Sequence, residues 1–169
     1  MVSGNDLVTL SRFIGAAIAI GAGAIGAGVA WGLAAGDTTE ALRTRPSYQR
    51  DLLRTMFVGG ALAESSAIYA LVIACLLIFV VPSSGNKGEI NGGDLILAAK
   101  YLGAACAIGF GAIGAATRGT ATGQAVLGVA RQPSVQNTLL RIMIIGIAIA
   151  ESTVIYALVV SILLIFVVK

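Results

Sequence analysis

Four apolar stretches, near residues 13–36, 55–81, 95–117 and 138–168, dominate this 169-residue chain. Each is at least as long as the roughly 20 residues that an α-helix needs to cross about 30 Å of bilayer hydrocarbon. Hydrocarbon offers backbone amides and carbonyls no partner, so such runs cross as helices that satisfy themselves. Polar connectors separate them: 37–51 is charged, 82–94 is rich in turn formers, and 123–137 is mildly polar. The expected fold is an all-α membrane protein of four transmembrane helices, arranged as two tandem helical hairpins, residues 1–85 and 86–169. The first run starts near Phe13 and is long enough to span, so it reads as a span rather than a cleaved signal.

Composition narrows the function classes. Hydrophobic residues make up 57% of the chain and charged residues 11%, against about 25% charged in ordinary soluble domains. The net charge of +3 comes without a basic block, which argues against nucleic acid as a partner. There is no histidine, and Cys75 and Cys106 lie inside apolar runs, where thiols behave as small hydrophobes. No metal site and no disulfide framework is expected.

The hairpins are a repeat. A shift of 87 residues lays Pro46 on Pro133, Glu64 on Glu151, Ser65 on Ser152 and Tyr69 on Tyr156. The run from Leu76 to Val81 recurs unchanged from Leu163 to Val168. Each unit repeats one packing solution, which points to further copies about an axis.

Glu64 and Glu151 fall near the middle of their apolar runs. A charged acid at a helix centre costs about 2.5–3.5 kcal/mol on the insertion scale, so it persists where it has a function. Leu62, Ser65, Ser66 and Tyr69 are spaced i, i+3, i+4 and i+7 and share a helix face; Glu64 lies about 100° from Ser65 and can fold back towards it. Ser65 and Tyr69 then offer hydroxyls to lock the carboxyl, and Ile149, Ser152, Thr153 and Tyr156 do the same around Glu151. These ten residues form the candidate ion-binding set. Two acids used only as interhelical glue are the bland alternative, but Asn, Gln or Ser would serve that end at lower cost.

The first helix of each hairpin is glycine-rich: Gly21, Gly23, Gly26, Gly28, Gly32 and Gly36, then Gly109, Gly111, Gly114, Gly119 and Gly123. Small residues let helices in lipid approach closely, and glycines on more than one face suit a helix with a neighbour on each side. No lysine followed by Ser or Thr accompanies them, so a phosphate-binding loop is not indicated.

The glycine-rich helix, the loop Ala130-Arg131-Gln132-Pro133, and Glu151-Ser152-Thr153 followed by Ile155-Tyr156 together resemble the c subunit, or proteolipid, of rotary F-type ATP synthases. The chain has that pattern in a duplicated, four-helix form like vacuolar and archaeal proteolipids, over nearly the full length of both hairpins. The resemblance implies a homo-oligomeric ring turning in the lipid bilayer. Each glutamate would take an ion from a stator a subunit and release it after rotation, and the polar loops would hold the central stalk. Arg43, Arg45 and Pro46 of the first loop, and Arg131, Gln132 and Pro133 of the second, are the implied stalk contacts. The chain would be no enzyme by itself, since ATP chemistry would belong to partner subunits, and no cofactor is implied beyond the transported ion. The setting would be a bacterial or archaeal plasma membrane or an energy-transducing organelle membrane.

Two departures bear on the ion. Sodium-binding relatives place a glutamine on the inner helix, level with the glutamate, whereas Trp31 and Arg118 stand there in this chain. With only the carboxylate, a serine and a carbonyl of Leu62 or Ile149 as oxygen donors, protons are expected, with a sodium-coupled version of the rotor as the alternative. Arg118 either reaches for the loop side or lumen, or pairs with Glu151 or Glu64 and silences one site in two. Repeat two is one residue shorter between Gly114 and Gly119 than repeat one between Gly26 and Gly32.

Six arginines (Arg43, Arg45, Arg50, Arg54, Arg131, Arg141) flank connectors one and three, against Arg12, Lys87, Lys100 and Lys169 on the other side. That bias puts loops 37–51 and 123–137 in the cytoplasm. A small proton-coupled transporter and a purely structural proteolipid are the remaining readings. Aromatics at 6% leave little with which to line a cargo pocket.

Overall fold

The computed structural model describes residues 3–82 and 87–167. Val168 and Lys169, the 85/86 hairpin boundary and part of the second connector lie outside the described residues. Four rods long and apolar enough to cross a membrane run through the structure. They comprise α1 (Gly4–Thr44), α2 (Gln49–Cys75), α3 (Gly92–Ile113) with α4 (Ala116–Arg131), and α5 (Gln136–Phe166). Among the described residues there is no strand.

The helices overrun the apolar stretches, and the connectors shrink accordingly. At 1.5 Å per residue, the 41 residues of α1 reach about 60 Å, twice the hydrocarbon thickness. The polar segment from Asp37 to Thr44 stays helical because it packs inward through Thr38 and Ala41, with a small contribution from Arg43, which bridges Glu40 at 2.8 Å, three residues back on the exposed face. Connectors one and three therefore reduce to tight turns rather than 15-residue loops.

Proline stops both long helices in the same way. The residue before proline is pushed out of the helical region. Arg45 sits at φ −138°, ψ 65° and Gln132 at φ −136°, ψ 80°. Pro46 and Pro133 then open matching 3₁₀ turns that lead into α2 and α5.

The other ends match too. Ser3 and Asp6 form a capping box at the start of α1, and Asn91 and Asp94 form one at the start of α3, 88 positions on. At the loops the offset is 87. The missing residue is absorbed between α3 and α4, where the Gly114, Ala115, Thr117 and Arg118 amides bond three residues back instead of four. The tightened turn re-registers the remainder of repeat two and sets Arg118 in the first turn of α4.

α1 lies between α2 on one side and α3 with α4 on the other, and α5 covers α3 and α4 and meets α2. The contact between the two first helices is backbone against backbone. A β-carbon added at Gly26 would strike the Ala112 carbonyl, and one at Gly119 would stand 2.8 Å from the carbonyl carbon of Ala30. Val8, Ile73, Leu77, Tyr101 and Ile108 build the main core towards the capped ends, and Ala41, Leu52, Val126 and Val129 a smaller one near the turns.

α2 ends in a π-turn over Leu76–Val80, with the Val81 amide reaching back to the Leu76 carbonyl at 3.0 Å. Arg12, buried in α1, donates through Nε to the Leu77 carbonyl and through Nη2 to that of Ile78, both at 2.8 Å.

Gly119→Val is expected to cost at least about 1–3 kcal/mol, the usual range for overpacking, because rigid backbone opposes the new side chain. Gly28→Ala, with nothing within 4 Å of the added carbon in the single chain, is expected instead to stabilise the monomer by about 0.5–1 kcal/mol through helix propensity. Denaturant unfolding of the two variants in detergent compares them.

Candidate functional site: two mid-span carboxylates

Glu64 lies 15 residues after the start of α2 and 16 before the end of its π-turn; Glu151 lies 15 residues from each end of α5. Both acids therefore sit at the midpoint of a spanning rod. Their surroundings differ. Glu64 is exposed on the outer side of α2, whereas Glu151 is half-buried where α5 meets α2.

Tyr69 makes the difference. Its hydroxyl donates to Oε1 of Glu151 at 3.0 Å, a bond from the first hairpin to the second. The sequence pattern grouped Tyr69 with Glu64 on its own helix; the structure sends it to the acid of the other repeat. Its counterpart Tyr156 is 65% exposed.

The small hydroxyls turn to their own backbone. Ser65 donates to the Leu62 carbonyl at 2.8 Å and Ser152 to that of Ile149 at 2.7 Å. Ser66 bonds the Ala63 carbonyl at 3.2 Å and Thr153 that of Ala150 at 2.9 Å. Serine hydroxyls in helices commonly return to such carbonyls, which keeps them satisfied in an apolar medium. The structure thus joins Ser65 with Leu62 and Ser152 with Ile149, but it places neither serine on a carboxylate.

Trp31 and Arg118 occupy equivalent positions on the inner helices. The indole of Trp31 lies over Gly60, where an added β-carbon would meet the ring at 2.5 Å, and its edge meets Phe57 at a centroid distance of 6.2 Å. Arg118 is 2% exposed, so it extends to neither loop nor lumen. Its Nε and Nη1 are buried without a hydrogen-bond partner, and among the described residues no ion pair joins it to either acid. The sequence puts Arg118 level with the glutamate, and the structure adds that it is buried between the rods. The signal was available in a second position: the repeat-two counterpart of Gly60 is Ile147, a larger side chain where the partner is a slimmer one.

At the turns, Arg45 and Arg131 line one cleft of about 320 Å³ with Glu40, Thr44, Leu127 and Ala130. The two basic residues, a position apart in the repeat alignment, come together in space. Gln132 and Pro133 are the turn itself, like Pro46 in the first hairpin. Arg43 does not line the cleft but bridges Glu40, which does. Among the described residues there is no cluster of metal-ligating side chains.

Two packed hairpins, each with one mid-span carboxylate, define a duplicated membrane proteolipid. The family model for the ATP synthase c subunit matches twice, over residues 14–77 and 102–164. The chain belongs to the ATP synthase c-subunit family, and it is an integral membrane protein of four helices.

Three relatives, each about half the length of this chain, match it. The ATP synthase c subunit of Natranaerobius thermophilus is 48% identical over 85 residues, 98% of that protein and 50% of this chain. The c subunit of Alkaliphilus oremlandii is 44% identical over 81 residues, 91% of it and 48% of this chain. The chloroplastic c subunit of Ostreococcus tauri is 47% identical over 78 residues, 95% of it and 46% of this chain.

Tyr69→Phe removes a bond within the chain and is expected to cost the monomer about 0.5–1.5 kcal/mol. Tyr156→Phe removes nothing that the single chain contains. Unfolding of detergent-solubilised monomer separates the two; equal effects would contradict the cross-hairpin bond.

Proposed function

We propose that the chain is the rotor subunit of an ion-translocating ATP synthase or ATPase. Copies form a ring that carries protons on mid-membrane glutamates past a stator a subunit, and the basic turns hold the central stalk on the cytoplasmic side. ATP chemistry belongs to other subunits.

One observation carries the ring. The second repeat leaves open what the first repeat has filled. Along α4 and α5 runs an apolar groove of about 370 Å³, lined by Gln124, Leu139, Ile142, Met143 and Gly146. Their repeat-one counterparts are Asp37, Leu52, Thr55, Met56 and Gly59. Those are covered by α4 of the same chain: Leu52 packs with Val126 and Val129, and Gly59 abuts Thr122. Thr55 is accordingly 0% exposed and Ile142 63%.

Repeat symmetry names the occupant. The counterparts of Thr122, Val126 and Val129 are Ala35, Thr39 and Leu42 on α1, of which the first two are exposed and the third half-buried. The α1 of a second copy therefore fits the groove of the first. The same operation brings Tyr156 of one copy to Glu64 of the next, completing for Glu64 the bond that Tyr69 makes to Glu151. A head-to-tail contact of this kind repeats until it closes.

The chemistry favours protons. A carboxylate facing hydrocarbon must be neutralised, and beside a fixed stator cation it can ionise. A sodium ion needs several oxygen ligands. Here the Leu62 and Ile149 carbonyls already accept serine hydroxyls, which leaves few donors for a metal. Sodium protection of the glutamates against carbodiimide at neutral pH would reverse that choice.

Three results test the reading in the intact ATP synthase. Glu64→Gln with Glu151→Gln is expected to abolish proton-coupled ATP turnover, and unchanged turnover would sink the proposal. Gly146→Trp, filling the groove, leaves monomer but no detergent-resistant oligomer. Arg131→Ala keeps the ring and weakens its hold on the stalk, read as uncoupled ATP hydrolysis.

A further inference from the structure

A buried guanidinium with two unpartnered nitrogens is the least explained group in the molecule. Arginine does not escape by losing its proton, because the delocalised guanidinium remains a cation in proteins. An unpaired charge in an apolar interior carries a penalty of several kcal/mol, and removing one partner of a buried pair leaves that penalty exposed. Arg118 is 2% exposed with Nε and Nη1 free, so a stable arrangement requires an anion nearby.

Glu151 is the available one. Arg118 stands 15 positions before Pro133 and Glu151 18 after it, on the adjacent rods α4 and α5, so the two share a depth. Among the described residues, Glu151 and Tyr69 are the titratable groups within electrostatic reach of the guanidinium. The Tyr69 hydroxyl occupies Oε1 of Glu151. On the inner side of Glu64 the place of the arginine is taken by Trp31, an apolar ring packed over Gly60.

We propose that Arg118 is a resident counter-charge for Glu151, so that Glu151 remains an anion throughout rotation while Glu64 alone exchanges its proton. Each chain then carries one ion per passage of the stator rather than two. This rests on the rotor reading above, and it changes which residue performs the carrying. Arg118 touches no transported ion; it is a positioning residue that acts through Glu151.

Carbodiimide attacks protonated membrane carboxyls, so peptide-resolved labelling of the intact complex reads both sites at once. Glu64 is expected to label at least about tenfold faster than Glu151, the factor given by a 1.4 kcal/mol preference for the anion. Arg118→Gln and Arg118→Leu should bring Glu151 up to the Glu64 rate, while Arg118→Lys, which keeps a cation, should hold it slow. The Glu64 rate and an intact oligomer band in the same sample show that each variant has folded. Turnover should be lost in Glu64→Gln and at least partly retained in Glu151→Gln combined with Arg118→Gln.

Equal labelling of both acids in the unaltered complex overturns the counter-charge and leaves the rotor standing. So does slow Glu151 labelling that persists in all three Arg118 variants. Unchanged turnover after loss of both acids instead removes the rotor reading itself.

Discussion

Hydrocarbon gives a polar group no partner, and that single constraint orders this structure. The serines and threonines of the spans return to carbonyls of their own helices. Thr38, Thr55 and Thr122, buried between the rods, do the same at 2.6 to 2.9 Å. Ser161 goes further and also reaches across to the Ala104 carbonyl at 2.7 Å, tying α5 to α3. Where the π-turn at the end of α2 disturbs the regular ladder, Arg12 supplies donors for two carbonyls. Each device spends a side chain on silence, so that a carboxyl at mid-span stands out as a group with something left to do.

Packing obeys a second constraint that follows from the first. Between apolar helices in lipid there is little hydrophobic drive, so close van der Waals contact must hold the rods together. The approach of α1 to α3 and α4 through Gly26 and Gly119 provides it. On α1, Gly21, Gly28, Gly32 and Gly36 lie where nothing is within 4 Å. Contact on one side and vacancy on the other is the geometry of a unit with a neighbour still to come.

The four spans, the duplication and the midpoint acids were legible in the sequence because length, hydropathy and repetition are properties of the chain itself. The connectors were not. Their charges look like loop residues in a row, yet Glu40 and Arg43 sit three apart and support helix until proline ends it. Spacing describes one helix at a time and so pairs Tyr69 with the acid on its own helix; the contact it makes depends on how α2 meets α5. The one-residue deficit in repeat two was visible as a number. Only the structure shows that a tightened turn at Gly114 takes it up and that Arg118 is thereby placed inside.

Duplication frees a ring from keeping its ion count tied to its size. In a ring of single hairpins every outer helix brings one acid, so circumference and carried charge rise together. In a duplicated chain the two acids are separate positions and can diverge, as Trp31 and Arg118 already have. Each charge returned through the membrane yields about 2.3 kcal/mol per 100 mV. A ring that carries one charge per four helices gathers half as much free energy per turn as one of equal girth that carries two. If the ATP made or used per turn is set elsewhere in the complex, that halving shifts the balance towards hydrolysis-driven pumping against a steeper gradient. Under the counter-charge proposal that lever is a single buried arginine, placed where the first repeat keeps an indole.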